Sequence, residues 1–192
     1  MKKKILVILG HPDTESFCGS LAKAYIDGAK VSGAEVRCLQ LGELRFDPIL
    51  WNGYTIIQEL EPDLVKAQEL IQWSNHMVFI YPNWWGAMPA LLKGFFDRVF
   101  LPGFAFKYRE NSQFWDKFLS GRTAHLMVTM DTPPWYYRWI YHRPGHNEMK
   151  RTILGFCGIK VVKISEFAPI KSSSQHQREK WIALAKELGS KA

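Results

Sequence analysis

Behind Lys4, residues 5–9 form an unbroken apolar run rich in branched side chains, and 4–9 has the pattern of a strand covered on both faces in a parallel sheet. It predicts a central strand. Gly10-His11-Pro12-Asp13-Thr14-Glu15 turns the chain, and from Ser16 the positions Phe17, Leu21, Ala24, Tyr25 and Ala29 recur at helical spacing until Ser32-Gly33 ends the helix. A second strand follows over 34–41. Segment 42–62 is polar and turn-rich yet carries Phe46, Pro48, Trp51 and Tyr54, so it reads as an ordered excursion rather than a linker. Residues 63–74 are helical, with Leu64, Ala67, Leu70 and Ile71 on one face, and 76–81 is a third buried strand.

Segment 82–89 sets two adjacent indoles, Trp84 and Trp85, between Pro82 and Pro89. Pro89 suits the first position of the next helix, where a missing N–H costs nothing, and Leu91, Leu92, Phe95, Phe96, Val99 and Phe100 form its buried stripe. Lys93 and Asp97 pair across one turn of it. Residues 101–121 read as an aromatic hairpin or loop and 122–130 as a fourth strand. A second aromatic excursion, 131–144, contains Trp135, Tyr136, Tyr137, Trp139 and Tyr141. A helix over 145–156, a fifth strand over 158–167 and a closing helix over 172–188 complete the chain, the serines at 172–174 supplying caps. Strand and helix alternate throughout without an internal repeat. The predicted fold is therefore α/β, a doubly wound parallel sheet of five strands with helices on both faces, and 1–192 make one domain. Ligands in such sheets sit beyond the carboxyl ends of the strands, which points to 10–18, 81–89 and 130–144.

Composition sharpens this. Eight Trp, seven Tyr and twelve Phe make 14% of the chain, and several cluster in Pro- and Gly-rich segments where a core would not need them, which suggests a flat ligand. The net charge of +7 favours anionic partners. Only 138–151 is locally dense in basic residues, and no RNP, zinc-finger or helix-turn-helix signature accompanies them, so nucleic acid is not the expected partner. Cys18, Cys38 and Cys157 include no C-x-x-C pair, which argues against a disulfide framework or zinc site and fits a reducing, cytoplasmic setting. The apolar run behind Lys2, Lys3 and Lys4 ends at Gly10, too early for a signal peptide, and no stretch approaches the ~18 residues of a membrane span.

No two glycines are separated by a single residue and no G-K-S or G-K-T occurs, so a dinucleotide fingerprint and a P-loop are both absent. Ala24 and Lys163 stand where a C-x5-R phosphatase would need arginine after Cys18 or Cys157, and there is no G-x-S-x-G elbow. At the first loop, Ser16 with the free amides of Phe17 and Cys18 makes a helix N-terminus fit for phosphate, and His11 adds a donor. Equally, Asp13, Thr14 and Ser16 simply cap the helix while His11-Pro12 shapes the turn. At the second loop Trp84 and Trp85 offer walls to a planar heterocycle, or pack under the loop. Phosphate at one loop and a flat ring at the other describe a mononucleotide. His142 and His146 have helical metal-pair spacing, but Pro144-Gly145 interrupts them and no acidic or thiol partner is evident, so no metal is expected.

Gly10-His11-Pro12-Asp13 with Ser16-Phe17, the block from Tyr81-Pro82-Asn83-Trp84-Trp85-Gly86-Ala87-Met88-Pro89 through Lys93-Gly94-Phe95-Phe96-Asp97-Arg98-Val99-Phe100, then Gly103-Phe104-Ala105-Phe106 and Phe156-Cys157-Gly158, resemble the NAD(P)H:quinone oxidoreductase (DT-diaphorase-like) family of flavodoxin-like fold. The resemblance implies sheet order 2-1-3-4-5 and a homodimer. It also implies a flavoprotein that takes hydride from NADH or NADPH at flavin N5 and passes two electrons to a quinone-like acceptor by a ping-pong scheme. His11, Ser16, Phe17 and Cys18 would then hold the flavin phosphate. Pro82, Asn83, Trp84, Trp85 and Gly86 would edge the isoalloxazine, and Thr129, Met130 and Asp131 would meet its pyrimidine side. FMN is expected, with FAD the alternative. The family commonly has a Gly-rich third loop followed by Tyr and His; here the loop reads Asp131-Thr132-Pro133-Pro134-Trp135-Tyr136-Tyr137, so Tyr136, Tyr137 and His142 are the candidates for proton handling. The rival reading on the same scaffold is a flavin-binding ancillary subunit of a potassium efflux system, with little turnover of its own.

Overall fold

The computed structural model describes residues 2–192. Along the chain run β1 (Lys4–Leu9), α1 (Phe17–Val31), β2 (Glu35–Gln40), α2 (Pro62–Trp73), β3 (His76–Pro82), α3 (Ala90–Val99), β4 (Phe106–Tyr108), β5 (Trp115–Lys117), β6 (Thr123–Thr129), α4 (Pro134–Trp139), α5 (Pro144–Asn147), β7 (Lys160–Phe167) and α6 (Gln175–Ser190). The main sheet has the order β2-β1-β3-β6-β7 with every pairing parallel, which is the expected 2-1-3-4-5 counted over its own strands. β3 is buried at every position and β1 at all but Lys4, because helices cover both faces. The edge strand β2 exposes Glu35, Arg37 and Cys38, charges and small residues that discourage a further strand from adding there.

Two cores flank the sheet. On one face Leu64, Ile71, Phe95 and Phe96 of α2 and α3 pack on Leu6, Phe79 and Leu126. On the other, Leu21 and Tyr25 of α1 and Ala185 of α6 pack on Val7, Val78 and Phe167. α1 and α6 touch almost backbone to backbone: a Cβ at Gly28 would lie 1.9 Å from the Lys186 carbonyl oxygen, and one at Gly189 2.1 Å from that of Tyr25. Only glycine permits so close a crossing.

Three segments differ in detail from the sequence pattern. The 131–144 excursion contains α4, because Pro133-Pro134 presets the helical φ and supplies a first residue that needs no N–H partner. The helix expected over 145–156 starts as α5 and continues in π geometry over Glu148–Leu154, closing with an i to i−5 bond from Gly155 N to Lys150 O at 3.1 Å. Pro89 is the N-cap of α3 rather than its first helical residue. The 101–121 segment does form a hairpin, with Phe106 opposite Lys117 and Tyr108 opposite Trp115.

The 42–62 excursion is ordered around one side chain. Arg98 of α3 is completely buried and donates to the carbonyls of Asp47 and Glu59 and to the Glu61 carboxylate at 2.9 and 3.2 Å. Its guanidinium thus ties down the backbone of a segment that packs on the core through Leu44, Phe46 and Leu60 while Ile49, Trp51, Tyr54, Ile56 and Ile57 are exposed. Arg98→Met removes the guanidinium donors from those carbonyls and leaves the Glu61 carboxylate only backbone donors such as the Asp47 amide at 3.0 Å; it should lower unfolding free energy by about 3 kcal/mol and open 49–57 to limited proteolysis, both measurable by urea titration and protease mapping.

His76 and His125 lie on neighbouring strands at 4% exposure each, bonded to Thr123 Oγ1 at 2.7 Å and Ser165 Oγ at 2.9 Å. Burial, reinforced by the charge of Lys3, pushes His76 down from 6.5 to about 4. Burial, then His76 and Lys163, pushes His125 down to about 3. As pH falls below 6.5 the unfolded chain binds protons that the folded chain refuses, so stability declines through that window and levels off for each histidine only below its folded pKa. The His76 share is roughly 3 kcal/mol. Urea titrations between about pH 7 and pH 4 should show this decline, and His76→Gln should reduce its slope by roughly half, the remainder belonging to His125.

Candidate functional site

The last rungs of the parallel ladder set where each exit loop begins. Gly10 N donates to Ile80 O at 2.8 Å, Asn83 N to Thr129 O at 2.7 Å, and Met130 N to Phe167 O at 3.0 Å. The loops after β1, β3, β6 and β7 therefore leave the sheet at one level and face one another.

In the first loop Ser16 caps α1, its Oγ accepting from Gly19 N at 3.3 Å, and Asp13 Oδ1 accepts from Glu15 N at 2.9 Å. Capping consumes the Gly19 amide but not those of Phe17 and Cys18, which begin the helix and have no intrahelical acceptor. No acidic residue occupies the first turn. The capping and anion-binding readings of this loop are thus compatible. Asp13 N donates to His11 Nδ1 at 2.9 Å, which leaves the proton of the neutral ring on Nε2 as a free donor. Cys18 Sγ meets Thr129 Oγ1 at 3.2 Å, and burial pushes its thiol up to about 11, so it serves as a small packing group and not as a thiolate.

A cavity of about 250 Å³ is lined by His11, Ser16, Phe17, Cys18, Pro82, Asn83, Trp84, Thr129, Met130 and Asp131, that is, by every expected cofactor residue except Trp85 and Gly86. Ile170, from the loop between β7 and α6, completes it. That loop was not singled out from the sequence, although the rule that selected the other three exit loops applies to it equally. It is tied in by Lys171 N donating to Asp131 Oδ1 at 2.6 Å and Ile170 N to Met130 O at 3.1 Å.

Trp85 and Gly86 line a second cavity, about 620 Å³, together with Asn83, Thr132, Ile140, Tyr141 and Pro144. Asn83 borders both spaces, and its Oδ1 is buried without a hydrogen-bond partner among the described residues. An orphaned acceptor between two cavities suits a ligand that brings its own donor. The Trp84-Trp85-Gly86-Ala87 turn is closed by bonds of 2.9 and 3.1 Å between Trp84 and Ala87, with φ of 54° at Trp85 and 83° at Gly86. Two successive positive φ values are the pattern of a type I′ turn. They leave the Trp85 indole fully exposed at the cavity wall.

The three candidates for proton handling separate. Tyr137 is buried, its hydroxyl donating to Gly86 O at 2.9 Å and accepting from Gly145 N at 3.0 Å. Tyr136 packs edge-on between Trp135 and Tyr141 and His142 is exposed; neither lines the two cavities, whereas Tyr141 does. His146 has an acid partner after all: its Nε2 lies 2.9 Å from Glu166 Oε1, brought from β7. A third cavity, about 420 Å³, lies between α3, the hairpin and 152–157, is bordered by Tyr54, Phe106, Tyr108 and Phe156, and shares no residue with the other two. The arrangement at the sheet edge can hold an elongated ligand, anionic at the α1 end and flat at the Trp85 end.

The family model described as flavodoxin-like fold matches residues 3–188. The chain is similar to a Mus musculus protein named ribosyldihydronicotinamide dehydrogenase [quinone], 28% identical over 211 positions that cover 94% of this chain and 88% of the relative. A crystal structure from Streptococcus mutans UA159 superposes with TM-score 0.83 at 28% identity, covering 98% of this chain and all of that one. The NAD(P)H:quinone oxidoreductase of Methanothermobacter marburgensis gives TM-score 0.82 at 22% identity, covering 99% and 98%, a likeness of fold.

Proposed function

Because the chain belongs to the flavodoxin-like fold family, we propose that it is a flavin-dependent NAD(P)H oxidoreductase with a quinone-like acceptor, its residues 1–192 acting as one flavin-binding domain. The observation that carries this is the paired cavity at the carboxyl edge, with free helix amides at one end and an orphaned Asn83 oxygen beside two indoles at the other. The mouse relative, named a quinone dehydrogenase, supports the reading.

The residues fit the cofactor. The Phe17 and Cys18 amides and His11 Nε2 would hold its phosphate, with the α1 dipole adding attraction. Asn83 Oδ1 would accept from a hydroxyl or ring N–H, and Trp84, Trp85 and the amides of Trp85 and Gly86 would border the ring. When bound, a flavin supplies hydride acceptance from NADH or NADPH at N5 and two-electron delivery to the quinone in a ping-pong scheme. The cavity at α1, about 250 Å³, has room for a phosphate and a ribityl chain rather than a second nucleotide, which favours FMN over FAD. Tyr141, whose side chain borders the acceptor space, takes the proton-handling role in preference to Tyr136 and His142. The three free cysteines suit a cytosolic enzyme.

The third cavity favours a homodimer. Tyr54 and Tyr108 are 66% and 58% exposed beside it, and Phe114 on the same hairpin 71%, an apolar surface that a second copy would cover. Light scattering should give twice the 22.3 kDa chain mass; a monomer at micromolar concentration removes this part.

Ser16→Asp tests the cofactor. Aspartate is as good an N-cap as serine, so α1 persists, but its carboxylate faces the phosphate. FMN affinity should fall by roughly a hundredfold, the loss of about 3 kcal/mol expected for placing like charges together, while riboflavin affinity stays within a factor of about three. Equal losses for both ligands, or wild-type protein that takes up neither FMN nor FAD, refute the assignment.

A further inference from the structure

Trp85 is a bulky residue in the left-handed region, at φ 54°, with its indole in solvent and no packing of its own to hold it there. The turn must be restrained from beneath. Its Gly86 carbonyl accepts two bonds, from Gly145 N and from Tyr137 Oη, each 2.9 Å. A Cβ at Gly145 would lie 2.7 Å from that oxygen, so glycine is what lets α5 approach. The Tyr137 ring meets His146 edge-on at 5.0 Å, and His146 Nε2 lies 2.9 Å from Glu166 Oε1. Glu166 stands on β7 directly opposite Val128 of β6, part of the rigid sheet.

The carboxyl of Glu166 is held below the usual carboxylate range, first by the His146 bond and then by the charges of His146, Arg143 and Arg138. An ionised carboxylate only accepts, so the Nε2 facing it carries a proton, and the imidazole is fixed in orientation. Tyr137 spends both its donor and its acceptor on the turn and on α5, leaving nothing for solvent.

We propose that Tyr137, His146 and Glu166 form a buried positioning relay that transmits the rigidity of the sheet to the Gly86 carbonyl and so holds Trp85 as a wall of the flavin cleft. Tyr137 is accordingly a positioning residue and not one that touches the reacting atoms. The geometry stands independently of the ligand; its effect on flavin affinity rests on the reading given under Proposed function.

The test uses full-length protein labelled with 5-fluorotryptophan, with the Trp85 resonance assigned by Trp85→Phe, together with FMN titration of the same samples. Tyr137→Phe should shift or broaden the Trp85 line and weaken FMN roughly threefold to tenfold, the worth of one neutral hydrogen bond. Glu166→Ala should act in the same direction and Glu166→Gln, which can still accept from His146, should restore wild-type behaviour. If Tyr137→Phe does not fold, the Glu166 pair decides. An unmoved Trp85 line, or a moved line with unchanged FMN affinity, overturns the relay even if the melting temperature drops. Wild-type protein that binds no flavin refutes the cofactor reading, and the fluorine spectrum then decides the relay by itself.

Discussion

In a parallel sheet covered on both faces, every strand must end where its last amide or carbonyl still finds a partner, and the bonds at 2.7 to 3.0 Å from Gly10, Asn83 and Met130 mark that limit here. Beyond them the backbone has no ladder to join. Its polar groups are satisfied by caps, by turns and by neighbouring loops, and those left over face outward. The free amides of α1 are such leftovers, and the buried, unpaired side-chain oxygen of Asn83 lies at the same edge. The site thus follows from the same accounting that terminates the sheet, and it lies where four exit loops meet.

The aromatic excess has more than one cause. Part of it is ordinary packing: Phe79, Phe95, Phe96 and Phe100 interlock on one face, and Trp115 stacks on Phe156 at 4.4 Å under the hairpin. Trp84 and Trp85 instead border the cavities, Ile140 and Tyr141 extend the rim at half exposure or more, and Trp135 and Trp139 are exposed on α4. The excess therefore also marks the second cavity, which Trp85 and Tyr141 line beside Thr132, Ile140 and Pro144 from either side of α4.

The buried strands were legible because covering both faces leaves few polar positions, and the exit loops were legible because parallel strands deliver them to one edge. Other features were not. α4 has too few residues and too many aromatics for a 3.6-residue stripe, since only Tyr137 of its six residues turns fully inward. The π segment keeps an apparently α-helical sequence, because the shift to i−5 bonding alters register without altering composition. His146 and Glu166 lie 20 residues apart and meet only through the placement of α5 against β7. Arg98, within a helix stripe of phenylalanines, gave no sign that it would organise a segment some 40 to 50 residues earlier.

These features divide the work at the edge between groups that present themselves to a ligand and groups that hold them in place. Ser16, the α1 amides, Asn83 and the indoles belong to the first kind; Thr129, Tyr137, His146, Glu166 and the Asp131 bond to Lys171 belong to the second. On the function proposed for it, this edge turns a bound flavin into an acceptor for reduced nicotinamide. Anaerobic mixing of the flavin-loaded protein with NADPH or NADH tests it most directly. The visible flavin band should bleach without any acceptor present and return when a quinone is added. A band that stays oxidised in the presence of both nucleotides contradicts it.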